Sequence, residues 1–310
     1  MNIQEHRAAI DKIDTQIVKL LNRRTKHVLN IGQVKLASGS AIFQPDREQK
    51  LLRRICKLSD GVLPDESLRH IYREVMSSSI ALQKGFKIAF LGPEATYTHQ
   101  AAVRRFGTSL AYVPQKTIAE VFSEVEKNRA EYGVVPVENT TEGVVTHTLD
   151  MFVDSELKIV AQIVMPIEHC LVGKGSLDQA KKLYSHPQAY AQCRNWVRET
   201  LPRVEFIETS STTAAAALAA RAKTAVAISS ALAAEKYNLN ILDAAIQDHS
   251  GNATRFLVLG RSCGSQTDHD RTSLMFTVND KVGALHDALH PFRTHRLNMT
   301  KIESRPSKRK

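Results

Sequence analysis

The sequence predicts a multidomain protein of 310 residues: an all-α N-terminal domain, an α/β domain and part of a ferredoxin-like unit. Three patterns predict this division. Apolar residues first recur at helical spacing, then short β-rich runs alternate with helical stretches, and after a polar linker a strand–helix–strand pattern follows. We place the domains at residues 1–85, 86–262 and 271–310.

The N-terminal domain is predicted to contain three helices. Apolar residues recur without proline from Gln4 to Ala37, a helix of about 50 Å. Further helices are predicted over about 45–58 and 64–84, each opening near a proline. Helices of such unequal length cannot bury the apolar stripe of the first one, so we expect the domain to form a homodimer.

The α/β domain is predicted to have largely parallel sheets, because helical stretches separate its strands. The predicted strands are the runs FKIAFLG, LAYVP, YGVVPV, LKIVAQIVMPI, KKLYSH, VEFIET, TAVAIS and TRFLVLG. Ligands bind at strand ends in such sheets. The polar clusters GPEATYTHQAA, ENTTEG, SHPQAYAQC and TSSTTAAA follow four of these runs. One Ser or Thr before a helix is usually only an N-cap, but four clusters together with NATRF at 252–256 indicate a ligand cleft.

Composition excludes several classes of protein. No run of 18 apolar residues occurs and the N-terminus alternates charged with apolar residues, which predicts a cytoplasmic protein outside the membrane. The formal charge of +10 fits small anionic substrates, since the basic residues lie among acidic ones without an aromatic platform for nucleic acid. We expect neither metal nor cofactor, because the four cysteines form no C-x-x-C pair and no H-E-x-x-H occurs. The cysteines are predicted to be buried thiols.

A basic pocket is predicted among the three helices. Arg24 and Lys35 project within about 20° of each other on the first helix, whereas Arg7 lies about 100° away. Solvated surface charges would give the same spacing. Ser79 and Gln83, one turn apart beside apolar residues of the third helix, favour a pocket, because polar groups on a packed face require partners.

These residues resemble the pattern of the all-helical chorismate mutases. The resemblance covers residues 1–85 and places the family's site on Arg7, Arg24, Lys35, Gln44, Arg47, Glu48, Ser79 and Gln83. It implies that Arg7 reaches the site of a second subunit. It also implies that the arginines bind the two carboxylates of chorismate while Lys35 and Gln83 contact the ether oxygen. The rearrangement to prephenate needs no nucleophile, only a held conformer and stabilised charge. Gln44 stands where many members have Asp, which weakens one expected hydrogen bond.

The polar clusters of the α/β domain resemble those of prephenate dehydratase, from about Lys87 to Gly260. The resemblance implies two α/β lobes around a cleft that binds prephenate. It assigns the site to Thr96, Glu138, Asn139, Ser211, Thr212, Thr254 and Arg255. Thr254 would donate a hydrogen bond to the departing hydroxyl, with Glu138 as proton source if burial raised its pKa, and the helix starts would hold a carboxylate. Ala95 stands where many members have Gly, so its backbone must avoid positive φ or tolerate strain.

The C-terminal segment resembles the phenylalanine-sensing ACT domain. The two ligand motifs would be Gly283, Ala284 and Leu285, and Glu303, Ser304, Arg305 and Pro306. Only half of the unit is present, with strands SLMFTV and MTKIES around one helix, so we expect a fragment or a decayed domain. Phenylalanine inhibition is therefore expected to be weak or absent.

The sequence thus predicts a bifunctional enzyme of phenylalanine biosynthesis. Two alternatives stay open at this point. The two-lobed domain could be a sensor that binds an aromatic acid without converting it, which the intact TRF and ENTTEG motifs oppose. The basic charge could serve nucleic acid, which would require a steep salt dependence of binding.

Overall fold

The computed structural model describes residues 2–37, 45–82, 86–141, 143–263, 266 and 270–306. The chain forms two compact units, residues 1–265 and 266–310. No helix in the described ranges is long and apolar enough to span a membrane. Within the same ranges, no cluster of three or more His, Cys, Asp or Glu residues could hold a metal ion.

Three helices open the chain where the sequence predicted them: α1 (Ile3–Ala37), α2 (Pro45–Leu58) and α3 (Asp65–Ala81). Helix α3 packs against both others. The apolar stripe of α1 nevertheless stays exposed in the single chain, with Ile10, Ile13 and Leu20 all more than half accessible. A lone copy of this domain therefore leaves a long apolar face in water.

Eleven strands lie in the described part of the α/β region. They are β1 (Lys87–Leu91), β2 (Ala111–Gln115), β3 (Tyr132–Asn139), β4 (Gly143–Val144), β5 (Lys158–Pro166), β6 (Cys170–Gly173), β7 (Lys182–Ser185), β8 (Glu205–Glu208), β9 (Ala225–Ser229), β10 (Asn240–Asp243) and β11 (Ala253–Gly260). All eight predicted strands are confirmed. The sequence missed β4, β6 and β10, which have two to four residues each.

The strands form two sheets, and each sheet belongs to one lobe. The first has the order β2-β1-β3-β11-β5, with β4 beside β3, and the second has the order β10-β6-β9-β7-β8. The prediction of largely parallel sheets is wrong. Strand β11 is antiparallel to both β3 and β5, and β6 is antiparallel to β9 and β10. The chain leaves the first lobe after β5 and returns as β11, so the returning strand enters the sheet from its opposite end.

Seven helices cover the sheets: α4 (Tyr97–Phe106), α5 (Ile118–Glu126), α6 (Thr146–Met151), α7 (Pro187–Gln192), α8 (Arg194–Thr200), α9 (Thr212–Ala219) and α10 (Ala231–Lys236), with a 3-10 turn at Leu177–Gln179. The first sheet has an apolar core on each face, one containing Phe106 of α4 and the other Phe122 of α5. The second sheet likewise packs alanines of α9 and α10 on one face and Val197 of α8 on the other. Both sheets are thus covered on both sides, as α/β layers require.

The second unit contains the helix α11 (Ala284–Thr294), preceded by Gly283 at φ +83°. The predicted strands at 273–278 and 299–304 are wrong, since no strand is present in residues 270–306. A strand exists only when a neighbour completes its ladder, and neither segment pairs with one in the described part of this unit. The partial ferredoxin-like sheet is therefore not formed here.

The cysteine prediction is only partly confirmed. Cys170 and Cys193 are buried, and burial raises the pKa of the Cys193 thiol to about 12. Cys56 is half-buried and Cys263 is exposed. The two exceptions lie on the surface helix α2 and in the linker, where neither sheet can cover them.

Candidate active sites

Arg24 is a residue of the predicted basic pocket that the structure links to a second helix. Its Nη1 donates to Ser79 Oγ at 3.2 Å, which joins α1 to α3, and Ser79 in turn donates to the Val75 carbonyl at 2.7 Å. Burial lowers the pKa of Arg24, and nearby Tyr72 partly opposes this effect. A guanidinium held in partial burial by a small hydroxyl is ready to bind a carboxylate, because its remaining N–H groups lie in a fixed fork.

Glu48 has an unexpected partner. Its Oε2 lies 2.8 Å from Nη1 of Arg105, and both side chains are largely shielded from water, at 10% and 17% exposure. Arg105 stands in the last turn of α4, in the α/β region. Sequence reasoning missed this contact, since no motif links two residues 57 positions apart.

In the first lobe, the ends of β3 and β11 bring the ENTT and TRF segments together. In the antiparallel ladder of β3 and β11, Thr254 lies opposite Asn139 and Arg255 opposite Glu138. Asn139 Nδ2 donates to Thr254 Oγ1 at 2.8 Å, and Thr254 is buried at 9% exposure. Because the hydroxyl oxygen accepts from Asn139, the hydroxyl proton is directed to another acceptor.

The orientation of the Asn139 amide is fixed by the backbone. Thr141 N–H donates to Asn139 Oδ1 at 2.9 Å. A backbone N–H can only donate, so the amide oxygen must face Thr141 and the amide nitrogen must face Thr254. The polar residues Asn139 and Thr141 of the ENTTEG cluster are therefore explained. They form a turn that sets the polarity of one hydrogen bond.

Glu138 and Arg255 form an ion pair, with Oε2 and Nη1 3.4 Å apart and both side chains about a third exposed. The carboxylate that was expected to act as a proton source therefore lies in an ion pair.

The helix starts converge between the lobes. Thr96 accepts from His99 N–H and Ser211 accepts from Ala214 N–H, which confirms both predicted helix starts. Ser230 opens α10, and its hydroxyl donates to the Ala95 carbonyl at 3.3 Å. Sequence reasoning missed Ser230, although Ser-Ser after a strand and before ALAAEK was a signal of the same kind as the others.

A second contact links Ser229 Oγ to the Thr212 carbonyl at 2.8 Å. The starts of α4, α9 and α10 are thus connected through Ala95, Ser229–Ser230 and Thr212. The Thr96 hydroxyl donates to the Leu91 carbonyl at 3.3 Å. It is therefore engaged within its own lobe.

Comparison with known proteins decides the family. Residues 6–84 match chorismate mutase type II and residues 88–263 match prephenate dehydratase. The bifunctional chorismate mutase/prephenate dehydratase of Aquifex aeolicus is 48% identical over 99% of this chain and 86% of its own length. That of Neisseria gonorrhoeae is 42% identical over 98% and 84%. The chain belongs to the bifunctional chorismate mutase/prephenate dehydratase family. It is an isomerase and a lyase in one polypeptide.

A solved relative supports the dehydratase fold. The prephenate dehydratase of Arthrobacter aurescens, solved in complex with L-Phe, is 32% identical and aligns with a TM-score of 0.62 over 71% of this chain and 76% of that one. The two lobes expected from the sequence are therefore confirmed as the fold of this family.

The remaining predicted mutase residues are less closely grouped. Lys35 is half-buried in the last turn of α1, Arg47 is exposed on α2, and Arg7 is exposed near the start of α1. Arg7 lies about 26 Å from Arg24 along the helix axis, so it cannot join the pocket of its own chain. Gln44 and Gln83 lie outside the described residues.

The predicted effector motifs lie in the second unit. Gly283 adopts the left-handed conformation before α11, Ala284 is buried and Leu285 is exposed. The second motif, residues 303–306, is exposed and irregular.

Ala95 stands where many family members have glycine, and the structure shows how the loop accommodates it. Its φ is +64°, so the loop tolerates the strain instead of avoiding it. The side chain is buried in the core of the second lobe, and the neighbouring Glu94 pairs with Lys236 of α10. The burial of the Ala95 methyl group helps to offset the backbone strain.

Proposed function

We propose that the helical domain rearranges chorismate to prephenate with Arg24, Lys35 and Glu48 in its pocket, and that the α/β domain converts prephenate to phenylpyruvate around Thr254. Arg47, Ser79, Gln44 and Gln83 complete the proposed mutase site. The pericyclic step needs only a clamped dianion and a stabilised ether oxygen. The half-buried Arg24 guanidinium on Ser79 supports the clamp.

The dehydratase proposal rests on one observation, the hydrogen bond from Asn139 to Thr254. It directs the Thr254 proton to an acceptor other than Asn139, where we place the departing ring hydroxyl of prephenate. A threonine is too weak an acid to act as a full proton donor, so Thr254 acts as a hydrogen-bond donor to the leaving oxygen. Arg255, which the resemblance also assigns to the site, pairs with Glu138 at the next position of the ladder. Loss of carbon dioxide and formation of the aromatic ring then drive the reaction.

The pyruvyl carboxylate of prephenate is placed at the converging helix starts. Thr96, Ser211 and Thr212 contribute backbone N–H groups there, and Ser230 ties the first lobe to the second. The carboxylate that leaves should be held less tightly, since tight ground-state binding would slow its departure.

The mutase is proposed to work as a homodimer. The exposed apolar face of α1 would pack on a second copy, and Arg7 of that copy would enter the pocket of the first. The axial separation of Arg7 and Arg24 within one chain supports this exchange.

Phenylalanine is proposed as a weak effector. A related dehydratase has been solved with L-Phe, and residues 283–285 and 303–306 carry the corresponding motifs here. We place the ligand at these motifs, and expect poor binding because the described segment 270–306 has no sheet to support them.

The direct experiment supplies chorismate to the purified protein and follows prephenate and phenylpyruvate over time. Successive appearance of both products supports the proposal. Binding of prephenate without phenylpyruvate formation would instead favour an aromatic-acid sensor.

A further inference from the structure

The helical and α/β parts of the first unit meet in a polar interface at the end of α4. Glu74 of α3 accepts from the backbone N–H of Thr108 at 3.1 Å and from its hydroxyl at 2.8 Å. Ser77 accepts from Ser109 N–H at 3.2 Å. Gly107 has φ +84°, and a Cβ there would overlap the Ser77 side chain, so the turn approaches α3 as closely as glycine allows.

The ion pair of Glu48 and Arg105 belongs to this interface. Its 2.8 Å separation and low exposure distinguish it from ordinary surface pairs, which water and salt screen. Arg73 of α3 lies near the same pair, and its pKa is lowered chiefly by burial while Glu48 opposes that effect. The interface therefore excludes much of the solvent around the Glu48 carboxylate.

Helix α4 connects the two catalytic regions. It begins after Thr96, at the helix starts of the proposed prephenate site, and Arg105 stands in its last turn, about 15 Å away. The same short helix thus presents its N-terminus to one site and an arginine to a residue of the other.

We propose that Arg105, a residue of the dehydratase domain, is a positioning residue for the mutase reaction and acts through Glu48. This inference rests on the proposed role of Glu48 in binding chorismate. A carboxylate accepts several hydrogen bonds, so Arg105 can fix Oε2 while the group still accepts from the substrate. Arg105 also offsets the negative charge of Glu48, which would otherwise repel a dianionic substrate.

The test compares Arg105→Met with Arg105→Lys, using Arg104→Met as the matched control. Arg104 is the exposed neighbour on the same helix, so this control removes the same charge without touching Glu48. Mutase kinetics are measured with chorismate, and dehydratase kinetics with supplied prephenate, in the full chain. Dehydratase activity reports whether α4 and its lobe are folded.

We expect Arg105→Met to lower mutase kcat/KM about tenfold, with a raised KM, because a charge-assisted hydrogen bond is lost. Dehydratase kinetics should stay within twofold. Arg105→Lys should recover part of the loss, and Arg104→Met should behave as wild type. In a Glu48→Gln background, Arg105→Met should have little further effect, since its action passes through that carboxylate.

Three results would overturn the inference. The first is an unchanged or raised mutase kcat/KM in Arg105→Met, and the second is an equal fall of the mutase and dehydratase activities. The third is that Arg105→Met lowers the mutase kcat/KM as much in the Glu48→Gln background as in the wild type. Failure of the underlying site gives a different pattern. If Lys35→Ala retains mutase activity, the proposed pocket is wrong and the inference falls with it. If Lys35→Ala lacks mutase activity but Glu48→Gln keeps it, the proposed pocket is supported and only the role of Arg105 through Glu48 is contradicted.

Discussion

A single amide fixes the polarity of the hydrogen bond to Thr254, the proposed dehydratase donor. Asn139 accepts from the Thr141 backbone and donates to Thr254, so its two ends cannot be exchanged without breaking both bonds. The sequence could predict that Asn139 and Thr254 belong to one site. It could not predict this polarity, because the polarity depends on the register of two strands 115 residues apart.

Replacing Thr254 should slow dehydration without weakening prephenate binding. Thr254→Ala removes a donor needed mainly when the hydroxyl leaves, so kcat should fall roughly a hundredfold with little change in KM. Thr254→Ser keeps the hydroxyl and should retain partial activity. Steady-state dehydratase kinetics check both, with mutase activity as the folding control. Near-normal turnover in Thr254→Ala would remove Thr254 from the mechanism.

His169 makes stability depend on pH. Its Nε2 contacts Gln192 Oε1 at 2.8 Å and its Nδ1 contacts the Tyr97 hydroxyl at 2.9 Å, both neutral partners. Burial lowers the pKa of His169 below its ordinary value of 6.5, although the Gln192 bond opposes this. Below pH 6.5 the imidazole of His169 binds a proton in the unfolded chain, whereas in the folded chain it stays neutral to a lower pH. The free energy of unfolding therefore falls as the pH falls.

Replacing His169 by Gln should flatten this dependence. Urea midpoints at pH values above and below 6.5 should differ less in His169→Gln than in wild type. His99, whose pKa burial also lowers, leaves a residual slope of the same sign. The control is His286→Gln, since His286 is 84% exposed. An unchanged slope in His169→Gln would contradict the assignment.

Elements with a strong local signal were predictable. The three long helices and eight strands lie where periodicity and composition placed them, and Thr96 and Ser211 cap helices as expected. Strand direction was not predictable. A local pattern does not record that β11 returns from the other lobe.

The mutase should be active only when two copies of the chain pair through α1 as a dimer. Arg7→Ala and Lys35→Ala chains should each lack mutase activity, and mixing them by co-refolding should restore about a quarter of the wild-type rate, because half of the random dimers carry one intact site. Chorismate turnover after refolding measures this. Arg7→Ala refolded alone is the control. Absence of recovery in the mixture would count against a shared site.

The whole molecule joins two reactions that use different chemistry. We propose that the mutase uses fixed charges among helices and that the dehydratase uses strand-end polarity and helix starts. Resemblance of motifs predicted both sites from the sequence. The contact between Glu48 and Arg105 could not be predicted, because it depends on how the two domains pack and no local pattern encodes that packing.

The central claim is that one chain carries two separate sites. The most direct measurement supplies the Lys35→Ala enzyme with chorismate and, separately, with prephenate. Lys35 is half-buried in the last turn of α1, outside the dehydratase lobes. We therefore expect no prephenate from chorismate but near-normal phenylpyruvate from supplied prephenate. Loss of both reactions to the same degree would contradict the account.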